Sequence, residues 1–495
     1  MEHRFNLIDE PWIPVADKGR VGLKDIFTHP EYRTLGGNPV QKAAILKLLQ
    51  AITQAAATPQ DMEAWQQLGW QGMADRACSY LAQWHDRFYL YGPEPFLQMP
   101  AIAKAAIKSF GTVLPDVATG NTTVLTQTQA EQPLDDGERA LLLITQMGFA
   151  LGGKKVDNSV TLSPGYQGKT KSGKPGPAVA HMGLLHNYFL GPTLLESIWL
   201  NLFTEAEIAD LTLYPLGLGT PPWEQMPEGE DCNIAQQLKG SLMGRLLPLC
   251  RFCLLTNEGL HYSEGIAHGN YKDGVFDPSV AIDISGKEPK VRWADPERRP
   301  WRELTSLLSF IRPGGKSFDC HQLRLAFAKV RRQQAPFAVW SGGLKVRNDS
   351  GEQSPKGSDD MVESLCWFSP NHVNELWFSH FQTEIGKLDE LADTLYDSVI
   401  NYYKTKSAAN KKPTSLEKAL AKQANNLFWQ LCERQSQALI DGCDEVTARQ
   451  QLRRQFARYT TQVFDQFCPH QTARQMDAWA KTKPNLSAYL QQEQP

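Results

Sequence analysis

The 495-residue sequence lacks several features that would assign it to a particular class of protein. It has no apolar run of about 18 residues, so it predicts no membrane-spanning helix. Its nine cysteines are odd in number and widely spaced, which argues against a disulfide framework and favours a reducing cytosol. Residues 1–15 carry charges and two prolines in place of an apolar core, so we expect no secretory signal.

A basic excess is also missing. The formal net charge is −3, and a protein that holds DNA by itself usually carries a surplus of lysine and arginine. Any contact with nucleic acid must therefore be local or shared with partners. The length and a hydrophobic content of 41% predict a soluble globular protein of roughly two to four domains.

Motifs for catalysis and metal binding are absent as well. Cys250 and Cys253 have the spacing of a metal-binding pair, but they lie in an apolar run without a second pair of ligands. Alternating strand residues explain them better. His85-Asp86 is reminiscent of metal-dependent phosphohydrolases, yet no further ligands complete such a site. We therefore predict a binding protein, not an enzyme, with no cofactor and no metal.

Residues 163–177, SPGYQGKTKSGKPGP, come within one residue of a phosphate-binding P-loop, since Ser163 stands where glycine is required. A P-loop needs a helix directly after its lysine, because the helix amides hold the phosphates. Gly173 and Pro175 fall where that helix would start, and they disfavour it. The stretch is then either a plain linker or a loop whose glycines and lysines approach a nucleic-acid backbone.

Residues 1–360 predict a mixed, α+β domain. The helical pattern occurs at 40–56, at 61–88, at 135–153 with Gly152-Gly153 as its stop, and from Gly191-Pro192 with proline in the first turn. The strand pattern occurs at 241–255, 274–284 and 336–340.

Residues 341–360 read as a hairpin or as a long flexible loop. Asn348-Asp349-Ser350-Gly351 would form the turn of the hairpin. Asparagine and glutamine can hydrogen-bond to base edges, and a rigid hairpin can wedge a duplex open. An ordinary solvent-exposed hairpin is the alternative.

Residues 361–495 contain few glycines and prolines and show long helical periodicity. Four helices fit, at 371–403, 415–440, 444–467 and 471–492, and their short connections predict an all-α four-helix bundle. Basic residues gather over 401–458, among them Arg449, Arg453, Arg454 and Arg458. They form either solvated helix faces or a strip that faces DNA or protein.

Several stretches together resemble one family. FNLIDEPWIPV at 5–15 resembles the N-terminal signature of the CasA family, the large subunit of the type I-E CRISPR Cascade surveillance complex. RFYLYGPEPFLQ at 87–98 is similar to a second family segment. The stretch 184–203, which we interpret as helical, follows a glycine-rich loop, as in the family, and the helical C-terminus agrees.

The resemblance implies an RNA-guided DNA-binding assembly for antiviral defence, in which base pairing reads the sequence and protein reads a short adjacent motif, the PAM. The large subunit reads that motif mainly from the minor-groove side, helps to separate the strands and recruits a helicase–nuclease without cutting DNA. The implied partners are guide RNA, the other Cascade subunits, double-stranded target DNA and the helicase–nuclease. No membrane is implied, and the implied location is cytoplasmic.

The resemblance also implies which residues touch nucleic acid. The glycine loop would contribute Gly165 and Gly168, with Lys169 and Lys171 nearby. A second loop, which contacts the PAM region and the end of the guide RNA, would contribute Asn121, Thr122 and Val124, and the minor-groove lysine would be Lys272. The wedge amide would be Asn348 or Gln353, with Lys345 and Arg347 beside it.

One departure from the family and two rival functions remain. The family's glycine loop can carry consecutive glycines, whereas Gln167 and Lys169 flank Gly168 here, so PAM preference is expected to differ. A nucleotide-dependent enzyme that uses Gly168-Lys169-Thr170 is one alternative function. A scaffold that binds only proteins is the other.

Overall fold

The computed structural model describes residues 3–114, 133–152, 156–157, 159–160, 162, 182–269, 271–311, 318–349, 352–355, 360–370, 373–407 and 413–491. These residues form a mixed α+β protein with a helical C-terminal part, as predicted. The chain divides into two compact units. The first unit comprises residues 1–300, 307–310 and 316–365, and the second comprises 301–306, 311–315 and 366–495.

The strands are short. In chain order they are β1 Arg4–Asn6, β2 Ile13–Val15, β3 Gly19–Val21, β4 Tyr89–Tyr91, β5 Ile107–Lys108, β6 His186–Leu190, β7 Arg251–Leu255, β8 Leu260–Glu264, β9 Ile282–Asp283, β10 Lys290–Val291, β11 Phe318–Asp319, β12 Phe337–Leu344, β13 Val346–Asp349, β14 Glu352–Pro355 and β15 Met361–Phe368.

The helices of the first unit are α1 Leu23–Thr28, α2 Pro39–Ala57, α3 Met62–Gln83, α4 Asp136–Gly148, α5 Leu194–Leu200, α6 Glu205–Asp210, α7 Asn233–Lys239, α8 Met243–Leu246 and α10 His321–Gln333. Helix α9 Leu304–Leu307 has only its last residue in the first unit and the others in the second. The helices of the second unit are α11 Glu375–Ser407, α12 Ser415–Glu433, α13 Ser436–Gly442, α14 Val446–Phe467, α15 Ala473–Thr482 and α16 Ser487–Leu490.

One three-stranded sheet has the order β15-β12-β6, and its strands β12 and β6 belong to the first unit. Strand β12 pairs antiparallel with β6, from Ala338 opposite Leu190 to Gly342 opposite His186. Both strands are buried along their whole length, which fits the apolar start of β12, whereas β6 also buries the polar residues His186 and Asn187. The prediction of a strand at 336–340 is thus confirmed.

Helix α2 carries polar side chains into the core. Asn38 caps its start in a capping box with Gln41. Buried Gln54 donates to the Phe203 carbonyl at 3.1 Å and accepts from the Phe203 N–H at 2.6 Å. Gln50 donates to the Asn201 carbonyl at 2.7 Å. These amides satisfy backbone groups that follow α5, because a buried polar group without a partner is costly.

A buried ion pair lies beside these amides. Lys47 of α2 is paired with Asp277, and both side chains are almost fully buried. Burial alone would raise the pKa of the Asp277 carboxyl, but the neighbouring Lys47 ammonium and His186 lower it below its usual value. Lys47 also donates to the Arg245 carbonyl at 2.9 Å. The pair therefore joins three segments that are distant in sequence.

Several predicted helix boundaries in the first unit are wrong. Helix α3 is interrupted at Gly69, whose φ of 60° is open to glycine, and the helix ends at Gln83 before a short 3-10 turn. Helix α4 ends at Gly148, before Gly152. Thr193 caps α5, so proline precedes the cap and does not occupy the first turn. The helical interpretation of 184–203 is wrong for its first part, because residues 186–190 form β6.

The predicted strands at 241–255 and 274–284 are only partly present. The first contains the short helix α8 before β7, and the second contains only β9. The glycines and prolines in these stretches are compatible with turns as well as with the ends of strands. The sequence therefore predicted more strand residues than the structure contains there.

The second unit is helical, but it differs from four simple helices. The predicted second helix breaks at residues 434–435 into α12 and α13, and the fourth is the two short helices α15 and α16. Two of the four arginines in the predicted basic strip are buried. Arg453 pairs with Glu384 of α11, with Nε 2.9 Å from the carboxylate, and Arg449 donates to the Cys443 carbonyl. These two arginines stabilise the unit and do not form an exposed face.

Among the described residues, no helix combines the length and the apolar character needed to cross a membrane.

Candidate nucleic-acid interface

The segment that could be a hairpin or a loop forms a hairpin. Strands β13 and β14 pair antiparallel, with Val346 opposite Pro355, Asn348 opposite Gln353 and Asp349 opposite Glu352. Asn348 and Asp349, which were predicted as turn residues, instead lie in β13, and residues 350 and 351 between the strands lie outside the described residues. The hairpin follows the buried strand β12 in the chain, with only Lys345 between β12 and β13.

Gln353 lies opposite Asn348, one pair away from the turn end of this hairpin, and is only 4% exposed. Its backbone N–H donates to the Gly152 carbonyl at 2.9 Å, and its side-chain Oε1 accepts from the Gly152 N–H at 3.0 Å. Its Nε2 donates to the Met182 carbonyl at 3.2 Å. Insertion of this amide into DNA would require breaking both side-chain bonds.

Gly183 lies under the first strand of the hairpin. Its φ is +101°, and a Cβ atom there would come within 2.7 Å of the Val346 Cγ2 atom and 3.0 Å of the Trp293 ring. Only glycine fits both the backbone angle and the space. Val346 and Trp293 therefore cover the backbone immediately after Met182, and Trp293 remains 40% exposed.

The two basic residues of the hairpin have different surroundings. Lys345 Nζ lies 2.7 Å from Asp295 Oδ1, and its backbone N–H donates to the Asp360 carbonyl at 2.8 Å. Its charge is thus largely compensated. Arg347 is exposed on β13 and sits one position before Asn348. Of these two residues, Arg347 is the one whose side chain is exposed to solvent.

The described part of the chain between Gly152 and Met182 is bound to β8. Asp157 donates its N–H to the Tyr262 carbonyl at 3.0 Å, and the Val160 carbonyl accepts from Ser263 Oγ at 2.8 Å. The Asp157 carboxylate accepts from the Ala106 N–H at 2.8 Å, and that bond lowers the pKa of Asp157. Residues 157 and 160 are thus bound to β8, and Asp157 is also bound to residue 106.

The other predicted contacts are scattered or lie outside the described residues. Lys272 is exposed in a 3-10 turn that precedes Gly274, whose φ is +75°. The loop residues all lie outside the described residues, and they are Asn121, Thr122, Val124, Gly165, Gly168, Lys169 and Lys171.

The buried histidines and cysteines have structural surroundings. His186 Nδ1 lies 2.8 Å from Ser279 Oγ, and His268 Nε2 lies 2.7 Å from the Pro248 carbonyl. Burial lowers the pKa of His186 to about 4 and that of His268 to about 3. Burial also raises the pKa of the Cys253 thiol to about 12. Within the described ranges, no three metal-ligating side chains gather at one point.

Sequence reasoning found the hairpin but missed what holds it. The contacts of Gln353 join residues separated by 171 and 201 positions, and no local pattern reports such a distance. Gly183 is a sequence signal for these contacts that was not used. An isolated glycine beside apolar residues can indicate that another part of the chain approaches its backbone closely.

Comparison with known proteins identifies the family. The chain matches the family model of CRISPR-associated protein Cse1 over residues 6–465. CasA/Cse1 of Thermus thermophilus is 29% identical over 338 residues, which cover 63% of this chain and 61% of that relative. The alignment thus spans less than two thirds of the curated relative's length.

Solved structures share the fold over the whole chain. The crystal structure of Thermobifida fusca Cse1 has a TM-score of 0.75 at 19% identity, with 98% of each chain covered. Thermus thermophilus CasA has a TM-score of 0.73 at 19% identity, with 98% of this chain and 99% of that chain covered. A chain of a CRISPR RNA-guided surveillance complex has a TM-score of 0.68 at 15% identity, with 99% and 100% covered. Since the family model covers most of the sequence, this chain belongs to the Cse1 family of CRISPR-associated proteins.

Proposed function

We propose that this chain is the large, non-catalytic subunit of a type I-E RNA-guided DNA surveillance complex in the cytoplasm. In this role it reads the PAM in duplex target DNA, helps to separate the strands and recruits a helicase–nuclease. Its partners are guide RNA and the other subunits of the complex. The proposal rests on family membership, since the family model matches residues 6–465. The hairpin of β13 and β14, which follows β12 in the chain, supports the proposed part in strand separation.

The near-neutral charge of the chain supports a shared role in binding. With a net charge of −3, the chain does not neutralise many phosphates by itself. Backbone subunits that carry the guide RNA supply most of that attraction in this proposal. The contribution of this chain is local, through Gly165, Gly168, Lys169 and Lys171 in one loop and Asn121, Thr122 and Val124 in another.

The hairpin supplies the wedge in this proposal. The side chain of Gln353 is already hydrogen-bonded to backbone groups, so we assign the inserted amide to Asn348, which pairs with it across the hairpin. The exposed Arg347 and the solvent-facing Lys272 add attraction to phosphates, while Lys345 keeps the hairpin base against Asp295.

The assembled complex provides the test of PAM reading. Its affinity for duplexes that share one target sequence is measured with the PAM intact and with the PAM mutated, at one fixed salt concentration. We expect tighter binding to the intact PAM, and only when this subunit is present. Equal affinity for both duplexes would exclude PAM reading and favour a scaffold that binds proteins only. Saturable ATP binding that Lys169→Ala abolishes would favour the nucleotide-dependent alternative.

The wedge has its own test. Asn348→Ala is expected to slow strand opening, followed by fluorescence of a base analogue next to the PAM, more than it slows the initial binding of duplex. Equal effects on the two steps would contradict the assignment of Asn348.

A further inference from the structure

Residues 301–306, which we call the strap, belong to the helical second unit, although the chain before them up to Pro300 belongs to the first unit. The strap contains most of the 3-10 turn Pro300–Glu303 and the first part of α9. Elements this short are not stable by themselves in water, because nucleating a helical turn costs more than its few hydrogen bonds return. The strap therefore depends on the side chains against which it packs.

Arg302 joins the strap to two long helices. Its guanidinium carbon Cζ lies 3.3 Å from the centroid of the Trp429 ring in α12. Its Nη2 donates to Asp389 Oδ1 in α11 at 2.9 Å. A cation above an aromatic ring is attracted by the negative face of that ring, and the carboxylate adds a charge-assisted hydrogen bond. One side chain of the strap thus contacts both α11 and α12.

A second aromatic ring and a buried thiol lie at the same place. Trp301 is 1% exposed and meets the Trp429 ring edge-on, with the ring centroids 6.1 Å apart. Cys432, one turn after Trp429 in α12, is fully buried. Burial raises the pKa of the Cys432 thiol, and the nearby charge of Arg302 acts in the opposite direction. Access to Cys432 therefore reports whether the strap is in place.

The two attachments of Arg302 differ in their exposure to solvent. The Arg302 side chain is 14% exposed, whereas the Asp389 side chain is 53% exposed. Dissolved salt can therefore screen the ion pair, but it has little effect on the burial of Trp301 against Trp429. The strap is held by an apolar contact that salt does not weaken and by an ion pair that it does.

We propose that the strap docks reversibly on α11 and α12, and that Arg302 is the residue that keeps it docked. Docked, its six residues span about 10 Å as short helical turns. Released, the same residues can span about 20 Å as extended chain. The strap is thus a connection after Pro300 whose length depends on Arg302. This device does not depend on PAM reading, because its contacts lie within the second unit alone.

The first test is pulsed labelling of the full chain with iodoacetamide, read by mass spectrometry. Arg302→Ala should accelerate the labelling of Cys432 about tenfold, because it removes both the stack and the ion pair. Cys443 and Cys468 are equally buried in the same unit and should keep their wild-type rates. An unchanged rate at Cys432, or equal acceleration of all three thiols, overturns the proposal.

The carboxylate has a matched control on the same helix. Asp389→Asn removes the ion pair but leaves the stack on Trp429, so it should accelerate labelling of Cys432 roughly twofold to fivefold. Asp393→Asn changes an exposed carboxylate one turn further along α11 and should leave the rate as in wild type. Both changes lie on the solvent side of the helix, so folding should be preserved. Equal rates in the two variants would show that Asp389 does not hold the strap.

Salt dependence separates this ion pair from a contact that is merely structural. In wild type, raising sodium chloride from about 0.05 M to about 0.5 M should accelerate labelling of Cys432, because the ions screen the pair. In Asp389→Asn that dependence should be lost, while Cys443 responds alike in both proteins. Iodoacetamide is uncharged, so salt does not alter its approach to the thiol. The same dependence in Asp389→Asn as in wild type would refute the role of the pair.

Hydrogen exchange shows where the chain opens. In Arg302→Ala, amides of the strap should exchange about tenfold faster than in wild type, while amides in the middle of α14 keep their rates. Arg302→Lys keeps the positive charge but not the planar group that stacks on Trp429, so it should fall between the two and provides the measurement if the alanine variant does not fold. Faster exchange throughout the second unit, with no excess in the strap, would contradict reversible docking.

Discussion

The two units of the chain use polar side chains in different ways. In the first unit, buried side chains such as Gln54 and Gln353 bond to backbone groups more than 140 residues away. In the second unit, side chains also bond across helices, but over 63 to 70 positions, as between Trp377 Nε1 and the Ile440 carbonyl and between Gln437 and Trp367. Local caps such as the capping box between Thr414 and Glu417 accompany these bonds. The bonds named in the first unit thus join segments that are farther apart in sequence than those named in the second.

This difference explains where candidate function is found. A hairpin that is hydrogen-bonded to distant segments can change position when those segments bind a ligand. A helix that is held by its own cap is affected mainly by changes in residues close to it in sequence. The second unit contains long-range buried contacts as well, such as Arg453 with Glu384 and Trp377 with the Ile440 carbonyl, so the contrast is one of degree. Substitutions in the two units should therefore differ in how far their effects spread.

The largest expected effect comes from Asp277→Ala. Removal of this carboxylate leaves Lys47 buried without its partner, and breaking such a pair typically costs about 3–5 kcal/mol. Urea-dependent hydrogen exchange should show the loss in α2 and in β6, which are distant in sequence. The double variant Lys47→Met/Asp277→Leu removes both charges and should recover most of the stability. If the loss of protection from exchange were confined to residues next to Asp277, it would contradict the claim that effects in the first unit spread to distant segments.

A pH effect of intermediate size is expected from His268. Its pKa is about 3 in the folded chain, against 6.5 for an ordinary histidine, because it is buried. Between those values the unfolded chain binds a proton that the folded chain does not, so acid destabilises the fold. Wild type should lose about 1.4 kcal/mol per pH unit below 6.5 relative to His268→Gln. Denaturant midpoints from pH 7.5 to 5 measure this, and parallel curves for the two proteins would contradict it.

The smallest effect is expected from Thr414→Ala in the second unit. Loss of the cap should cost about 1 kcal/mol and accelerate exchange of the Glu417 amide and its neighbours roughly fivefold. Exchange in the first unit should not change. Acceleration in β6 or in the hairpin would show that the helical unit is not as self-contained as the comparison holds.

The same contrast decides what could be predicted from sequence. Helix α2 was predicted within one residue at each end, since apolar spacing and the Asn38 cap are local signals. The hairpin was one of two alternatives predicted for residues 341–360, and its turn was predicted two residues too early, since Asn348 and Asp349 lie in β13. The partners of Gln353 and of Lys47 could not be predicted, because they are fixed by the path of the whole chain. The break after α12 was missed, since helical periodicity continues through residues 434–435.

The most direct test of the central claim is the effect of Gly168→Asp on the binding of a PAM-bearing duplex by the assembled complex. The substitution puts bulk and negative charge where we expect close approach to phosphates, and Gly176→Asp is the matched control in the same segment. We predict about a tenfold or greater loss of affinity for Gly168→Asp, no comparable loss for Gly176→Asp, and little change for either on a PAM-mutated duplex. Unaltered affinity of the Gly168→Asp complex for the PAM-bearing duplex would contradict the account.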